Sequence, residues 1–201
     1  MRPLAMIWAE GFLDRVAAER LATSLGVRIE GASRDAGGAD AFWRSINRYN
    51  EAAKHCGLVL ALGDHDEDTC VGPKLRKRIK GRHSNLILRL SVRELEAWFL
   101  ADAVQLGSHL SVSPAKFPRQ PDKEKDPKRT LVNLSAKSTK PGIREGMVPK
   151  AGTSADRGPE YTLIMESFIL TKWAPSEAAK RSPSLLRAIR ALRTASSAII
   201  P

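Results

Sequence analysis

An uninterrupted apolar run, Leu58–Leu62, lies between Gly57 and Gly63 and is followed by aspartates at positions 64, 66 and 68. A short apolar run bounded by glycines is typical of a strand buried on both faces of a parallel sheet. Ligands of such sheets bind at the carboxyl ends of the strands. Alternate residues of an extended chain share a face and lie roughly 6–7 Å apart. The stretch therefore predicts an α/β fold with carboxylates spaced to hold one or two divalent cations.

Strand and helix patterns alternate through the first half of the chain, which predicts a doubly wound, mainly parallel sheet. Ser91 is expected to cap the last helix of this series, with Glu94 completing a capping box. The stretch 31–40, rich in Gly, Ala, Asp and Ser, is expected to be a loop. The predicted strands are 4–9, 27–30, 58–62 and 86–90, and the predicted helices are 12–25, 42–56, 73–80 and 92–103.

The texture of the sequence changes after Leu110, where proline, glycine and lysine become frequent. Apolar periodicity is weak there except around Leu131–Leu134, and two helical patterns, 161–173 and 184–195, close the chain. We therefore predict two parts. Residues 1–110 form the α/β core, and residues 111–201 form a basic, loop-rich and helical C-terminal extension that packs on or beside it.

The net charge of +11 is unevenly distributed along the chain. Residues 1–112 contain 16 Lys and Arg against 14 Asp and Glu, whereas residues 113–201 contain 17 against 8. This asymmetry favours a polyanionic partner, nucleic acid first. A solvated basic surface is the alternative that charge alone leaves open.

Two further features bear on the expected location. No apolar run approaches the roughly 18–20 residues of a membrane span, and Met1-Arg2-Pro3-Leu4 leads into a strand pattern without a signal-peptide pattern. The two cysteines, Cys56 and Cys70, do not make a disulfide framework. We therefore expect a cytoplasmic protein with no membrane partner.

Glu10 follows the first predicted strand, and Asp64 and Asp66 follow the third. Because the carboxyl ends of parallel strands share one edge of the sheet, these residues can converge there. Two metal ions bridged by such carboxylates can activate water and stabilise the leaving oxygen in phosphodiester cleavage. Mg²⁺ needs only one or two carboxylates, with waters and substrate phosphate completing its shell. A solvated acidic turn is the simpler alternative, since Asp is common in turns.

Other readings of the aspartates fit less well. An EF-hand loop starting at Asp64 would need Gly and Glu where Thr69 and Leu75 stand. A haloacid-dehalogenase phosphatase would have its Asp-x-Asp after the first strand and Thr or Val two residues further on, where this chain has Asp68. Zinc is disfavoured because no paired Cys or His spacing exists. The residues concerned are His55, Cys56, His65 and Cys70.

The apolar character of the predicted helix 92–103 indicates that it is largely buried, with Trp98 and Phe99 in the core. Charges within it then need partners. Glu94 or Glu96 could reach the carboxylates at the strand ends. A cap combined with an ion pair to a nearby arginine, Arg93 or Arg89, is an equally open alternative.

Four motifs together resemble the TOPRIM-like family catalogued as domain of unknown function 4276, and the resemblance covers nearly the whole chain. Glu10-Gly11 with Asp14 resembles the family's opening Glu-Gly-x-x-Asp. Asp64-His65-Asp66 with Cys70 resembles its Asp-x-Asp segment. The run Arg93–Asp102 resembles its most distinctive signature, and Asp126-Pro127-Lys128 a later one.

The resemblance implies a TOPRIM fold, as in topoisomerases, primases and overcoming-lysogenization-defect nucleases. In that fold the first Glu and the Asp-x-Asp bind Mg²⁺, or Mn²⁺, for phosphoryl transfer on nucleic acid. By this analogy Glu10, Asp64 and Asp66 are catalytic residues and metal ligands, with Asp68 and Glu96 as further ligands. Family members often sit beside AAA or ABC-type ATPase genes in settings linked to phage defence, which implies an ATPase partner.

Two functions follow from these expectations. The first is a Mg²⁺-dependent nuclease acting on nucleic acid, DNA before RNA, with self-association left open. The second is a non-catalytic subunit that keeps the fold and binds nucleic acid or a protein partner; a small-molecule phosphatase is a more distant third. The residues predicted to hold phosphates are Lys74, Arg76, Lys77, Arg78, Arg93, Lys128 and Arg129.

Overall fold

The computed structural model of the chain describes residues 4–29, 33–55, 57–65, 75, 78–79 and 81–197. The chain divides into two compact units, residues 1–92 with 187–201, and residues 93–186. The predicted boundary at residue 110 thus falls inside the second unit, because the chain leaves the sheet at Val92.

The first unit is built on a four-stranded sheet with the order β2-β1-β3-β4, in which every described pair of strands is parallel. This confirms the α/β class and the parallel sheet. The strands are β1 (Leu4–Ala9), β2 (Ser33–Asp35), β3 (Leu58–His65) and β4 (Leu86–Val92), and the helices between them are α1 (Phe12–Ser24) and α2 (Ala39–His55).

The two faces of the sheet have separate apolar layers. On one face, Trp8, Val59 and Ala61 pack with Phe42 and Ile46 of α2. Side chains of a strand alternate between faces, so Leu58, Leu60 and Leu62 belong to the other face, where α1 also contacts β1 and β3. All residues from Leu58 to Leu62 are therefore buried, as the apolar run predicts.

The position predicted for the second strand is wrong. Within 27–29 only Ile29 forms an isolated bridge, and the strand itself is Ser33–Asp35, inside the expected loop. Its residues are half-exposed or exposed, because β2 is the edge strand beside β1. Backbone pairing, for example Ile7 with Ser33, holds this strand without any apolar alternation in its sequence.

The predicted cap at Ser91 is also wrong. Ser91 belongs to β4, where it pairs with Asp64, and the helix begins only at Glu96 with no side-chain cap at Leu95. Asp102 interrupts the predicted 92–103 helix, and its side chain accepts the Gln105 N–H at the start of the next helix. The parallel ladder continues through Val92, so the backbone is extended where the capping box would need a helix to begin.

The second unit is helical, and the part expected to be loop-rich contains several short helices. Proline occupies the first turn of several of them, where its missing N–H needs no partner and its fixed φ suits the helix. Its α-helices are α3 (Glu96–Ala101), α4 (Ala103–Leu110), α5 (Pro127–Ser135), α6 (Pro141–Met147), α7 (Tyr161–Thr171) and α8 (Pro175–Ala178), with 3₁₀ turns at Pro114–Lys116 and Pro121–Lys123.

The last helix, α9 (Pro183–Ser197), begins in the second unit, and its residues from Arg187 onward belong to the first. Within the second unit, Phe99 makes edge-to-face contacts with Phe168 and Trp173, at ring distances of 5.9 and 5.3 Å. Trp98 is fully buried, and its indole N–H donates to Ser184 Oγ at 2.8 Å. Among the described helices, none has both the length and the apolar character that a membrane crossing requires.

Candidate functional site

Glu10 and Asp64 lie at the point where the strand order of the sheet reverses. From β1 the chain moves outward to β2, and it then returns past β1 to form β3 on the other side. In doubly wound sheets ligands bind outside the carboxyl ends of the strands at such a switch point. Glu10 directly follows β1, and Asp64 is the penultimate residue of β3. The structure therefore brings together these two residues from distant parts of the sequence, as predicted.

The contact between them runs through the backbone of β3. The Glu10 N–H donates to the Leu62 carbonyl at 2.9 Å, which extends the β1–β3 pairing one residue beyond β1. The Asp64 N–H in turn donates to Glu10 Oε2 at 3.2 Å. The Glu10 carboxylate is thereby held over the end of β3.

Asp64 itself is oriented by Ser91 on the neighbouring strand. The register pairs these two residues, and Ser91 Oγ donates to Asp64 Oδ1 in a short hydrogen bond. The same hydroxyl lies 3.3 Å from the Gly63 carbonyl oxygen. A hydroxyl has one proton, and the charged carboxylate is the stronger acceptor, so the Asp64 bond should dominate. Ser91 is fully buried, which fixes the direction of this donor.

Gly63 leaves the space that the Glu10 carboxylate occupies. A Cβ at this position would lie 3.1 Å from Glu10 Oε2 and 3.1 Å from Phe42 Cε1. Contacts this short would require the carboxylate or the buried ring to move. Glycine at the end of β3 thus allows the Glu10 side chain to fold across the strand.

The turn after Glu10 is fixed by Asp14. The Gly11 N–H donates to Asp14 Oδ2 at 3.2 Å, and Asp14 lies in the first turn of α1. An acidic side chain is favourable at a helix N-terminus. The spacing Glu-Gly-x-x-Asp therefore has a local explanation, since the last residue stabilises the turn that presents the first.

The chemistry of the donors at this edge suits a hard divalent cation. A carboxylate oxygen has two lone pairs, so an oxygen that accepts a hydrogen bond, as Glu10 Oε2 and Asp64 Oδ1 do, is still of the type that can coordinate a cation. Mg²⁺ is commonly bound through one or two carboxylates together with waters and substrate phosphate. Within the part of the chain that the structure describes, no group of three or more His, Cys, Asp or Glu side chains could hold a metal. The predicted ligands Asp66 and Asp68 lie outside the described residues.

Glu96, predicted as a further metal ligand, lies in the second unit with its side chain buried. Its Oε1 accepts the Tyr161 hydroxyl at 2.7 Å. Burial raises the pKa of Glu96, an effect that the nearby Lys128 charge and the Tyr161 hydrogen bond oppose. Burial and the neighbouring Glu96 also raise the pKa of Tyr161 well above its usual value. Both shifts favour the neutral forms of this pair.

Glu94 does not form the predicted helix cap, and Lys128 holds its carboxylate. Its carboxylate accepts the backbone N–H of Lys128 at 2.8 Å and lies 3.2 Å from Lys128 Nζ. The charge of Lys128, one of the predicted phosphate-binding residues, is therefore partly neutralised within the second unit.

The other predicted phosphate-binding residues have varied surroundings. The Arg78 guanidinium stacks over the Trp43 ring at 4.8 Å. Arg129 lines a cleft of about 390 Å³ in the second unit together with Asp126 and Asp156. Arg93 has left-handed backbone, with φ of 64°. Lys74, Arg76 and Lys77 lie outside the described residues.

Sequence reasoning missed the roles of Ser91 and Gly63. The sequence did contain a signal for Ser91. If the alternation of β4 is continued past Leu90, Ser91 lies on the same face as Arg89 and beside Asp64 of the neighbouring strand. Gly63 was recognised only as the boundary of an apolar run. Its closeness to Phe42 depends on how α2 packs, which the local sequence does not specify.

Comparisons of this chain with protein-family models, with curated proteins and with solved structures find no match. The TOPRIM-like resemblance accordingly stays a prediction carried by the motifs. The geometry adds an all-parallel α/β sheet with two of the predicted carboxylates at its switch point.

Proposed function

We propose that the protein is a Mg²⁺- or Mn²⁺-dependent nuclease of the TOPRIM type that cleaves phosphodiester bonds, in DNA before RNA. We further propose that it acts in the cytoplasm with an AAA or ABC-type ATPase in phage defence, as the family resemblance implies. The observation that carries the proposal is the contact between Glu10 and Asp64 at the switch point of the sheet. Carboxylates at this position are suited to bind metal and substrate phosphate together.

Glu10 and Asp64 are the described residues that would hold the metal, with Asp66 and Asp68 as predicted additional ligands. Bound divalent ions polarise a phosphoryl oxygen and lower the pKa of coordinated water. Glu96 is left out of the proposed ligands because its carboxyl group is buried against Tyr161.

The chain contributes orientation and charge to this chemistry. The Ser91 hydroxyl fixes the direction of the Asp64 carboxylate, and the Asp64 N–H fixes that of Glu10. Positioned groups of this kind avoid reorganisation during the reaction. The net charge of +11 favours a polyanionic substrate.

The test is cleavage of supercoiled plasmid and of labelled single-stranded DNA and RNA by the purified chain, alone and with its ATPase partner. We expect nicking or cleavage in Mg²⁺ or Mn²⁺ that chelator abolishes. Glu10→Gln and Asp64→Asn should lower the rate by roughly a hundredfold or more, because each removes a charge that the metal needs.

Glu51→Gln is the matched control, since it removes a carboxylate charge from the exposed surface of α2 and should leave cleavage unchanged. An inactive wild-type protein in both metals, with the ATPase present, would refute the proposal. Equal activity of Asp64→Asn and Glu51→Gln would refute the assignment of the site.

The second candidate is a non-catalytic subunit that binds nucleic acid. It is favoured by the excess of Lys and Arg, 17 against 8 acidic residues, over residues 113–201. Binding that weakens with salt but is unaffected by chelator and by Asp64→Asn, in a protein that does not cleave, would support this function instead.

A further inference from the structure

The charges of two arginines of the first unit, Arg82 and Arg187, act on a third, Arg89, and no ion pair among the described residues gives any of the three an acidic partner. Arg89 is in β4, Arg82 precedes that strand, and Arg187 lies on the part of α9 that belongs to this unit. Arg82 and Arg187 are exposed, and Arg89 is half-buried. None of the three belongs to the residues predicted from the sequence to bind phosphate.

Arg89 is the unusual member of this group. Its Nε is buried, and it has no hydrogen-bond partner among the described residues. Burial lowers the pKa of Arg89, and the positive charges of Arg82 and Arg187 lower it further. Buried charged groups are normally paired, because an uncompensated charge loses its hydration without replacement. A guanidinium group that is partly buried and experiences two like charges therefore indicates a place where an anion binds.

The sheet register relates this cluster to the candidate site. Arg89 pairs with Leu62, and Ser91 pairs with Asp64, so both pairs project on the same face of the sheet. Arg89 is two residues before Ser91, which corresponds to about 6–7 Å along the strand. Arg89 therefore lies on β4 next to Ser91 along the same face, and Ser91 is the residue whose hydroxyl orients Asp64.

We propose that Arg82, Arg89 and Arg187 form a binding site for a backbone phosphate of a nucleic acid strand, adjacent to Glu10 and Asp64. The choice of ligand rests on the proposed function, whereas the presence of an anion site rests on the arginines themselves. Guanidinium groups bind phosphate through paired N–H donors.

The test measures binding of a fluorescein-labelled single-stranded DNA 20-mer by fluorescence anisotropy in chelator, where metal-dependent cleavage cannot occur. We expect Arg89→Gln to raise Kd about tenfold, the effect of losing a charge-assisted hydrogen bond. The slope of log Kd against log salt should fall by about 0.7 for one lost phosphate contact on a single strand. Arg193→Gln is the matched control, because it removes the same charge from an exposed position on α9.

Arg187→Gln provides a second variant on an exposed helix surface and should weaken binding in the same direction. Arg89→Gln should also unfold at the same temperature as the wild type or higher in the absence of DNA, since it removes an uncompensated charge. The gain in melting temperature on adding the 20-mer should then be smaller than for Arg193→Gln.

Each result decides one part of the inference. Equal Kd and equal salt slope for Arg89→Gln, Arg187→Gln and Arg193→Gln would overturn the phosphate site, as would poly-glutamate of matched charge binding as tightly as the 20-mer. Failure of the proposed nuclease gives a different pattern. Wild type and Asp64→Asn would then bind the 20-mer alike without any cleavage in Mg²⁺, while the arginine variants still lost binding.

Discussion

The substitution Gly63→Ala tests whether the end of β3 is packed as closely as the structure shows. The added Cβ would lie 3.1 Å from Glu10 Oε2, 3.1 Å from Phe42 Cε1 and 3.3 Å from Phe42 Cζ. Ordinary van der Waals contact begins several tenths of an ångström further out, so one neighbour must move.

The two neighbours differ in how easily they can move. Phe42 is fully buried and is flanked by Trp8 in a stacked contact and by Trp43 in an edge-to-face contact. The Glu10 carboxylate is at the end of a flexible side chain, so it is the group that should be displaced. Its hydrogen bond from the Asp64 N–H would then lengthen or break.

The magnitude follows from two opposing effects. Replacing glycine stabilises by about 0.4–1 kcal/mol through the unfolded chain, whereas overpacking a core costs typically 1–3 kcal/mol. We expect a net destabilisation of about 1 kcal/mol, or a melting temperature lower by about 2–4 °C for a chain of this size. In the proposed nuclease assay the misplaced Glu10 carboxylate should lower the rate about tenfold.

Gly142→Ala is the matched control for the same chemical change. Gly142 lies in α6, and a Cβ there would have nothing within 4 Å. Alanine is favoured over glycine in a helix interior by about 0.8–1.0 kcal/mol, and because Gly142 is the second residue of its helix we expect a smaller gain in stability over the wild type. Urea and thermal unfolding, followed by far-UV circular dichroism, would measure both variants. If Gly63→Ala is stabilised as much as Gly142→Ala and cleaves at the wild-type rate, the close contact with Glu10 and Phe42 is refuted.

Two further predictions concern single contacts. Ser91→Ala should lower the cleavage rate more than it lowers stability, because the half-buried Asp64 carboxylate can regain water but loses the hydrogen bond that orients it. Plasmid cleavage measures the first effect and urea unfolding the second. A cleavage rate equal to that of the wild type would contradict the role of Ser91. The raised pKa of Glu96 means that the folded state keeps this proton to a higher pH than the unfolded state, so its effect on stability becomes unfavourable as pH rises from about 4.3 toward the folded pKa. Glu96→Gln should therefore lose less stability than the wild type as the pH rises through this range. If the melting temperatures of the variant and the wild type change with pH in the same way, the raised pKa of Glu96 is contradicted.

The sequence was sufficient for the elements whose side chains alternate or repeat in a buried environment. Leu58–Leu62, for example, is buried throughout, and the helical spacing of Phe42 and Ile46 matches α2. These patterns arise because burial selects apolar residues with the period of the element. The convergence of Glu10 and Asp64 was also predictable, since it depends only on parallel strands ending at one edge of the sheet.

The elements that were misplaced are those held by backbone pairing rather than by side-chain burial. Ser33–Asp35 forms a strand because its backbone pairs with β1, and its largely exposed side chains carry no pattern that would predict a strand. Ser91 matched the sequence pattern of a helix cap, but the ladder with β3 keeps its backbone extended. In both cases backbone hydrogen bonds to a strand distant in the sequence determine the conformation, and they outweigh the local preference of the residues.

The geometry of the candidate site also allows variants that remove the charge of a carboxylate to be distinguished from variants that change its position. The Glu10 carboxylate accepts from the Asp64 N–H next to Gly63 and Phe42, whereas the Asp64 carboxylate accepts from the Ser91 hydroxyl. Each carboxylate is an acceptor in its contact, and an amide oxygen can accept the same hydrogen bond. Glu10→Gln and Asp64→Asn should therefore preserve both orientations while removing one negative charge each. A loss of activity in these variants with unchanged stability would then report the charge of the carboxylates, and Gly63→Ala and Ser91→Ala would report their positions.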